Sequence, residues 1–257
     1  MNRINKLFTD KGKNILSVYF TAGYPNLDDT VEIITGLDRS GVDLIEIGMP
    51  FSDPVADGPV IQKSSEKALA NGMSLNHLFS QLERIREKTD IPLIIMGYFN
   101  PVFRFVVEKF LKKCMDTGID GAIIPDLPVE EYTLHYEEMF SRYDVLNILL
   151  VTPQSTAERI RYIDSISKGF LYVVSSSSTT GSKNKFDQYH LDYFRKLNEY
   201  GLQSPRLTGF GISDKKTFEQ ACKYSNGAII GSAFIQSLEL KGSIKEKIDK
   251  FVGTIRD

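Results

Sequence analysis

The sequence predicts an α/β protein that forms a closed barrel of eight parallel strands, a single-domain (β/α)8 barrel with extra helices over residues 1–257. Short runs rich in Val, Ile and Leu recur along the chain, and amphipathic segments of helical length separate them about eight times. Such alternation is typical of parallel strands joined by crossover helices. No linker or shift in composition divides the chain, so one domain is expected.

The first elements are a short helix over residues 2–9 and a strand over residues 15–20, ILSVYF, whose near-continuous apolar character suits burial on both faces. Asn26 is expected to cap the next helix, at residues 27–40, and the second strand begins at Asp43. The remaining strands are expected at residues 92–98, 121–124, 145–151, 170–175, 206–208 and 228–230. The remaining helices are expected at residues 61–71, 75–88, 103–117, 130–141, 157–167, 188–200, 215–224 and 244–255.

A doubly wound open sheet has the same local pattern, and periodicity does not separate it from a barrel. The loops that follow the strands favour the barrel, because they concentrate polar residues and glycines that would meet at its carboxyl-terminal face, where active sites of this fold lie. These clusters lie at residues 46–58, 100–101, 126–128, 175–181, 209–213 and 231–232. The long polar loop at residues 175–187 is a candidate lid.

Composition narrows the class of protein. The chain has 257 residues, 42% of them apolar and 25% charged, as is usual for a globular protein. A net charge of −2 gives nucleic acids and anionic membranes no electrostatic reason to bind. No apolar run has the length of a signal peptide or of a membrane span, so a cytoplasmic location is expected. The lone cysteines Cys114 and Cys222 are expected to be free thiols.

The strongest functional signal lies in residues 43–62, DLIEIGMPFSDPVADGPVIQ, where Glu46 interrupts an apolar strand. The loop that follows, rich in Pro and Gly, brings Asp57 to the same end of the strand. Paired carboxyl groups in unlike environments allow an enzyme to divide acid and base roles. Taken singly, a strand Glu also suits an ion pair, and an Asp in such a loop also suits a turn.

A phosphate site is predicted from glycines after the last two strands. Residues 209–213, GFGIS, follow the seventh strand, and Gly231 and Ser232 follow the eighth. Glycines there let a phosphate approach backbone N–H groups, a helix N-terminus adds positive potential, and Ser232 supplies a hydroxyl. Helix caps or tight turns would explain any one of these glycines alone.

A phosphorylated substrate and two carboxyl groups suit isomerisation, aldol cleavage or hydrolysis. None of the predicted strands contains the lysine that a Schiff-base aldolase needs. The three histidines, His77, His135 and His190, fall in helical segments away from the strand ends, so no metal site is expected. The remaining option is acid/base catalysis. It requires a substrate that can hold its own developing charge, as a nitrogen heteroaromatic ring does.

The chain resembles the tryptophan synthase alpha subunit family over nearly its whole length. The motifs are TAGYP, LIEIGMPFSDPVADGPVIQ, NPVF, IIPDLPVEE, VTPQSTAERI, YVVSSSSTTG, GFGIS and IIGSA. The resemblance implies retro-aldol cleavage of indole-3-glycerol phosphate, a carbon–carbon lyase reaction, with Glu46 and Asp57 as the catalytic pair. It implies phosphate contacts at Gly181, Gly211, Gly231 and Ser232, with Thr180 retained beside them. Candidates for the apolar slot that holds the indole ring are Phe20, Ile61, Tyr98, Leu127 and Tyr172, although each also suits a plain core role.

The resemblance also implies a partner, a beta subunit that carries pyridoxal phosphate and takes the indole, in an alpha2beta2 heterotetramer for tryptophan biosynthesis. No cofactor is implied for this chain itself. The partner interface is expected at Asp53, Pro54, Asn100 and Pro101, and Asp53 matches a residue that meets a lysine of the partner.

Two positions depart from the family pattern. The sixth loop reads SSSSTTG where the family usually reads S-x-x-G-V-T-G, and Val106 stands where the family commonly has glycine.

The alternative enzyme is a phosphate-binding barrel isomerase of another heterocyclic or sugar phosphate. A third hypothesis is a subunit that only activates its partner, which the intact Glu46 and Asp57 disfavour.

Overall fold

The computed structural model describes residues 1–174, 188–209 and 211–256, and these contain one sheet of parallel strands. In chain order the strands are β1 (Ile15–Thr21), β2 (Leu44–Gly48), β3 (Leu93–Met96), β4 (Gly121–Ile123), β5 (Leu146–Asn147), β6 (Leu149–Val151), β7 (Leu171–Val174), β8 (Arg206–Gly209) and β9 (Gly227–Ile230). Their order in the sheet is β5-β4-β3-β2-β1-β9-β8-β7-β6. Since only Ile148 separates β5 from β6 along the chain, the two ends of the sheet meet.

The sheet is therefore an eight-stranded TIM barrel whose fifth strand is interrupted once. β5 pairs with β4 and β6 pairs with β7, both in parallel, so the interrupted strand closes the barrel. Ile148 itself donates its N–H to the Ala122 carbonyl at 2.9 Å, which keeps the break in register with β4. The prediction of a closed barrel over an open sheet is confirmed.

Helices surround the strands. They are α1 (Arg3–Asp10), α2 (Thr30–Arg39), α3 (Pro59–Ala70), α4 (Leu75–Leu82), α5 (Phe99–Phe105), α6 (Val107–Thr117), α7 (Val129–Glu131), α8 (Glu137–Arg142), α9 (Ala157–Ile166), α10 (Gln188–Glu199), α11 (Lys215–Cys222), α12 (Ser232–Ser237) and α13 (Ile244–Arg256). A 3₁₀ turn (Ile85–Glu87) follows α4, and a π-helical turn (Tyr132–Tyr136) joins α7 to α8. Within the described ranges, no helix is long and apolar enough to cross a bilayer.

Several local predictions differ from the structure. The helix predicted at residues 103–117 is two helices, α5 and α6, and α12 was not predicted. Asn26 is not a helix cap: α2 begins at Thr30 after Asp29, and both the backbone N–H and the side-chain amide of Asn26 donate to Asp29. A tight turn over residues 26–29 therefore stands where the first helical turn was expected.

The strands bury both faces, and alternation decides which residues face the interior. Ile15, Leu44 and Tyr172 belong to the cluster that fills the barrel, together with Ile4 of α1. Because side chains alternate along a strand, Ser17 and Tyr19 share the interior face of β1 with Ile15. Leu16, Val18 and Phe20 take the other face and pack against the surrounding helices. Glu46 likewise shares the interior face of β2 with Leu44.

A partly buried ion cluster around Asp120 lies at the amino-terminal end of the barrel. Its carboxylate accepts from Arg86 Nη2 at 2.7 Å, from Arg3 Nη1 at 3.1 Å and from the Leu93 N–H at 2.9 Å. The side-chain amide of Asn2, the residue that caps α1, donates to the Asp120 carbonyl at 2.9 Å. These contacts hold α1 across this end, so access to the interior is expected from the carboxyl-terminal end.

The junction between α5 and α6 is strained at Val106. This residue has φ 74° and ψ 115°, a conformation that suits glycine and that a β-branched residue adopts only at a cost. Val106 is 60% exposed, so little packing offsets the strain. The departure from the family's glycine therefore falls on a backbone position that favours glycine.

Val106→Gly should raise the free energy of unfolding by about 1 kcal/mol, because relief of strain outweighs the greater flexibility of the unfolded glycine. Urea denaturation monitored by circular dichroism measures the change. Val106→Ala is the matched control, since it keeps the β-carbon and should gain much less. An equal gain in both variants would show that the exposed side chain, and not the backbone, is the cause.

Candidate active site

Glu46 is a fully buried carboxyl group on the interior face of β2. Its side chain is 0% exposed, and the Ser17 hydroxyl on neighbouring β1 donates to its Oε1 at 2.7 Å. Burial raises the pKa of Glu46 to about 8, because the charged form loses its solvation, while the Ser17 hydrogen bond acts in the opposite direction. At neutral pH the carboxyl group is therefore mostly protonated and able to donate a proton.

Asp57 lies on the loop between β2 and α3 in a less buried environment. The Tyr98 hydroxyl donates to Asp57 Oδ2 at 3.2 Å and accepts from the Ala56 N–H at 2.9 Å. Partial burial raises the pKa of Asp57 to about 6, and the Tyr98 hydrogen bond lowers it. At neutral pH Asp57 is therefore mostly ionised, unlike Glu46.

Two buried tyrosines lie within the electrostatic influence of both carboxyl groups. Tyr19 is the register partner of Glu46 across β1 and β2, and Tyr172 lies on the interior face of β7. Burial is the main cause that raises the pKa of each hydroxyl, and the charges of both Glu46 and Asp57 add to it. The carboxyl groups therefore face a common region near the carboxyl-terminal end of the barrel.

Two glycines make room for these tyrosine rings. A β-carbon at Gly48 would lie 2.1 Å from the Tyr19 hydroxyl, and one at Gly209 would lie 2.3 Å from the Tyr172 hydroxyl. Each ring thus crosses the end of the next strand, where any side chain would displace it. The glycines that end β2 and β8 have this steric role in addition to any contact with a ligand.

A small cavity lies beside this region, with room for about one water molecule. It is lined by Tyr19, Met49, Asp57, Met96, Gly97, Tyr98 and Pro125. Of the predicted slot residues, Tyr98 lines this cavity and Tyr172 lies in the barrel interior with Glu46. Phe20 faces the helices, because it has the opposite alternation on β1, and so lies outside the cavity. Leu127 is buried in the same hydrophobic cluster as Phe20. Ile61 of α3 packs against that cluster.

Sequence reasoning missed Ser17 and Tyr19. Both lie in the strand ILSVYF, which reads as a nearly continuous apolar run. Their polar atoms recur with a period of two, which places them on one face, and that alternation would have identified them. Tyr19 occupies the interior position next to the one predicted for Phe20.

The predicted phosphate residues lie at the ends of β8 and β9. Gly211 has φ 74°, and a β-carbon there would meet no atom of the described residues within 4 Å. Gly231 follows β9, and Ser232 begins α12 with an exposed side chain. Thr180, Gly181 and the candidate lid at residues 175–187 lie outside the described residues.

The predicted partner residues lie on two neighbouring segments. Asp53 is exposed and Pro54 half-buried on the loop after β2, while Asn100 and Pro101 lie in the first turn of α5. A groove of about 530 Å³ runs between these segments and α4, lined in part by Phe51, Asn100 and Pro101. Val55 is the apolar residue of this loop whose side chain is most exposed, at 86%. Phe51 is not exposed to the same extent, because its ring packs on Tyr98 with the ring centroids 5.1 Å apart.

The remaining candidates for chemistry lie elsewhere. His77 is on α4, His135 on the π-helical turn and His190 on α10. The part of the chain that the structure describes holds no group of three or more His, Cys, Asp or Glu able to bind a metal. Cys114 is buried and Cys222 half-buried, and both are free thiols.

A barrel of parallel strands with two acidic groups of unlike acidity near its carboxyl-terminal end belongs to the class of (β/α)8-barrel enzymes. The sequence profile of the family described as tryptophan synthase alpha chain matches residues 6–255. The chain belongs to this family. Tryptophan synthase alpha chains of Flavobacterium johnsoniae and Flavobacterium psychrophilum are 57% and 56% identical to it, over 100% and 99% of this chain and 100% of each relative.

Solved structures agree on the fold. The tryptophan synthase subunit alpha of Legionella pneumophila has a TM-score of 0.88 at 30% identity, covering 100% of this chain and 97% of that one. A chain of the tryptophan synthase complex from Pyrococcus furiosus has a TM-score of 0.85 at 31% identity, covering 94% and 97%.

Proposed function

We propose that this chain cleaves indole-3-glycerol phosphate into indole and glyceraldehyde 3-phosphate, as the alpha reaction of tryptophan synthase. The observation that supports this most is the unlike acidity of two carboxyl groups that face one region: the pKa of Glu46 is raised to about 8 and that of Asp57 to about 6. Near pH 7 one of them is an acid and the other an anion, which is the pair that this cleavage needs. We include in the proposal a cytoplasmic location and a single domain over residues 1–257.

Glu46 transfers protons in both directions during the reaction. Its proton moves to C3 of the indole ring, which becomes a cationic indolenine, and Glu46 becomes a carboxylate. This carboxylate then removes the proton of the side-chain hydroxyl next to the ring. As the C=O bond of the aldehyde forms, the carbon–carbon bond breaks and its electron pair returns to the ring, which leaves neutral indole and a protonated Glu46.

Asp57 stabilises the cationic ring. Its carboxylate accepts a hydrogen bond from the indole N–H, where positive charge develops as C3 is protonated. The Tyr98 hydroxyl, which donates to Asp57 Oδ2 at 3.2 Å, orients the carboxylate and favours its ionised form. Because the region around Tyr19 and Tyr172 is buried, the attraction is less screened than it would be in water.

Backbone N–H groups at the ends of β8 and β9 bind the phosphate. Gly211, Gly231 and Ser232 supply three of the contacts, and Thr180 and Gly181 of the sixth loop complete the site. Tyr98 and Tyr172 contact the indole ring, with Ile61 and Leu127 behind them. Phe20 does not line this slot, because its side chain faces the helices.

The beta subunit, which carries the pyridoxal phosphate, binds the segments around Asp53, Pro54, Asn100 and Pro101 in an alpha2beta2 heterotetramer and takes the indole. A contact path connects this surface to the chemistry: Phe51 packs on Tyr98, and Tyr98 donates to Asp57. Docking on the loop would therefore position Asp57.

The direct test is indole release from indole-3-glycerol phosphate by the purified chain, with and without a beta subunit. Stoichiometric indole and glyceraldehyde 3-phosphate are the expected products, formed faster when the beta subunit is present. Turnover of another sugar phosphate without indole release would instead favour the barrel isomerase. A chain that stimulates the beta subunit but forms no indole would be an activating subunit only.

Asp53→Ala should leave the rate of the isolated chain nearly unchanged and remove most of the stimulation by the beta subunit. Asp53 is exposed, so its loss should affect docking more than the chemistry. Titration of indole release with beta subunit measures both quantities, and Glu32→Ala, which removes a carboxylate from α2, is the control. An equal loss of basal and stimulated rates would place Asp53 in the pocket.

A further inference from the structure

Ser17 is a polar residue in the fully buried part of an apolar strand. It is 0% exposed, and its neighbours in the strand are Leu16 and Val18. Its register partner across the strand pair is Leu44, so it lies one interior layer below Glu46, toward the amino-terminal end of the barrel. A buried hydroxyl costs free energy unless it is paired, and its hydrogen bond goes to Glu46 Oε1 at 2.7 Å.

The two carboxyl oxygens of Glu46 are therefore not equivalent. Oε1 accepts from Ser17, whereas Oε2 is buried and has no hydrogen-bond partner in the described part of the chain. The oxygen that accepts a hydrogen bond is disfavoured as the site of the carboxyl proton, because the carbonyl oxygen of a neutral carboxyl group is a better acceptor than its hydroxyl oxygen. In neutral Glu46 the proton is thus held on Oε2.

We propose that Ser17 is a positioning residue for Glu46: its hydroxyl fixes Oε1 as the acceptor and leaves Oε2 as the oxygen that exchanges protons with the substrate. The inference rests on the proposed retro-aldol function. Oε2 donates its proton to C3 of the indole ring and then recovers one from the side-chain hydroxyl. Throughout this cycle Oε1 keeps the Ser17 hydrogen bond, so the carboxyl group does not need to rotate between the two transfers.

The same hydrogen bond stabilises the carboxylate that forms after the first transfer. The titratable groups that face Glu46 from the packed elements are Tyr19 on β1, Tyr172 on β7 and Asp57 on the loop after β2. Burial is the main cause that disfavours a negative charge on Glu46 and raises its pKa. Ser17 is the one described group that donates directly to Glu46, and its hydrogen bond lowers the pKa of that carboxyl group.

Ser17→Ala should raise the pKa of Glu46 by about 0.5 to 1 unit, because the carboxylate loses a charge-assisted hydrogen bond. The measurement is a pH titration of the Glu46 δ-carbon by ¹³C NMR in the complete chain without substrate, with the resonance assigned by its absence in Glu46→Gln. The pH at which kcat for indole release falls by half on the alkaline side should rise by the same amount. We expect kcat to fall about threefold to tenfold, with KM nearly unchanged, because the weaker acid protonates C3 more slowly.

Ser65→Ala is the matched control, since Ser65 is a buried serine on α3 with 3% exposure, and it should leave the Glu46 titration unchanged. Ser17→Thr keeps a hydroxyl and should return the midpoint toward the wild-type value. A Glu46 midpoint in Ser17→Ala within about 0.2 units of wild type overturns the proposal, whatever happens to activity. An equal shift in Ser65→Ala also overturns it. If the wild-type chain releases no indole, the proposed function fails, but the NMR titration still decides whether Ser17 acts on Glu46.

Discussion

Glu46→Gln should lower the rate of indole release by at least about a hundredfold, while affinity for the substrate falls only modestly. The amide keeps the shape of the side chain and still accepts the Ser17 hydrogen bond at its oxygen. It cannot give a proton to C3 or take one from the substrate hydroxyl. Single-turnover kinetics and a separate binding measurement with a substrate analogue distinguish the two effects.

A matched control makes the same Glu→Gln change at a carboxyl group outside the pocket. Glu239→Gln suits this purpose, because Glu239 accepts from Tyr24 and Lys63 on the outer side of the barrel and does not contact the pocket. It should retain nearly full activity. If Glu46→Gln keeps more than about a tenth of the wild-type rate, Glu46 is not the proton-transfer group, since general acid/base catalysis accounts for a hundredfold or more.

Asp57→Asn should also be severely impaired, by about a hundredfold, but through the loss of charge. The amide would still accept the Tyr98 hydrogen bond, so the loop should keep its conformation. The defect should shrink with ring-substituted substrates whose indolenine cation needs less stabilisation. Rates for a series of substituted indole-3-glycerol phosphates, measured for both proteins, test this dependence.

Asp53→Asn is the control for this series, because it removes the same charge from the same loop but from an exposed position. In the isolated chain it should change neither the rate nor its dependence on the substituent. A defect in Asp57→Asn that stays constant across the series would contradict an electrostatic role. Asp57 would then act through the geometry of its loop.

The barrel could be predicted from the sequence because each strand is a short apolar run that a helix of clear periodicity follows. The interruption at Ile148 could not, since residues 145–151 are apolar apart from Asn147 and read as one strand. α12 was missed because it has only six residues, and Val106 is not a residue type that marks a helix junction. Local propensity does not specify such boundaries, which depend on packing between elements.

The carboxyl groups of the candidate site could be predicted because an acid is conspicuous in an apolar strand and in a loop of prolines and glycines. The tyrosines could not be ranked, since an aromatic residue suits a core as well as a pocket. Strand alternation decides whether Tyr19 or Phe20 faces the barrel interior. The choice becomes certain only when the position of Glu46 shows which face of the neighbouring strand is interior. The protonation states also depend on burial, which the sequence does not give.

The central claim is that Glu46 acts as an acid and Asp57 as an anion at the same pH, and the pH dependence of kcat tests it most directly. We choose kcat because the ionisation of the free substrate's phosphate, near pH 6, affects kcat/KM instead. The rate should rise as pH passes about 6, where Asp57 loses its proton, and should fall above about 8, where Glu46 loses its own. A bell-shaped profile with these two limbs, whose acidic limb is absent in Asp57→Asn, is the expected result. A rate that continues to rise through pH 9 would contradict the claim, because it would show that the reaction needs Glu46 ionised from the start.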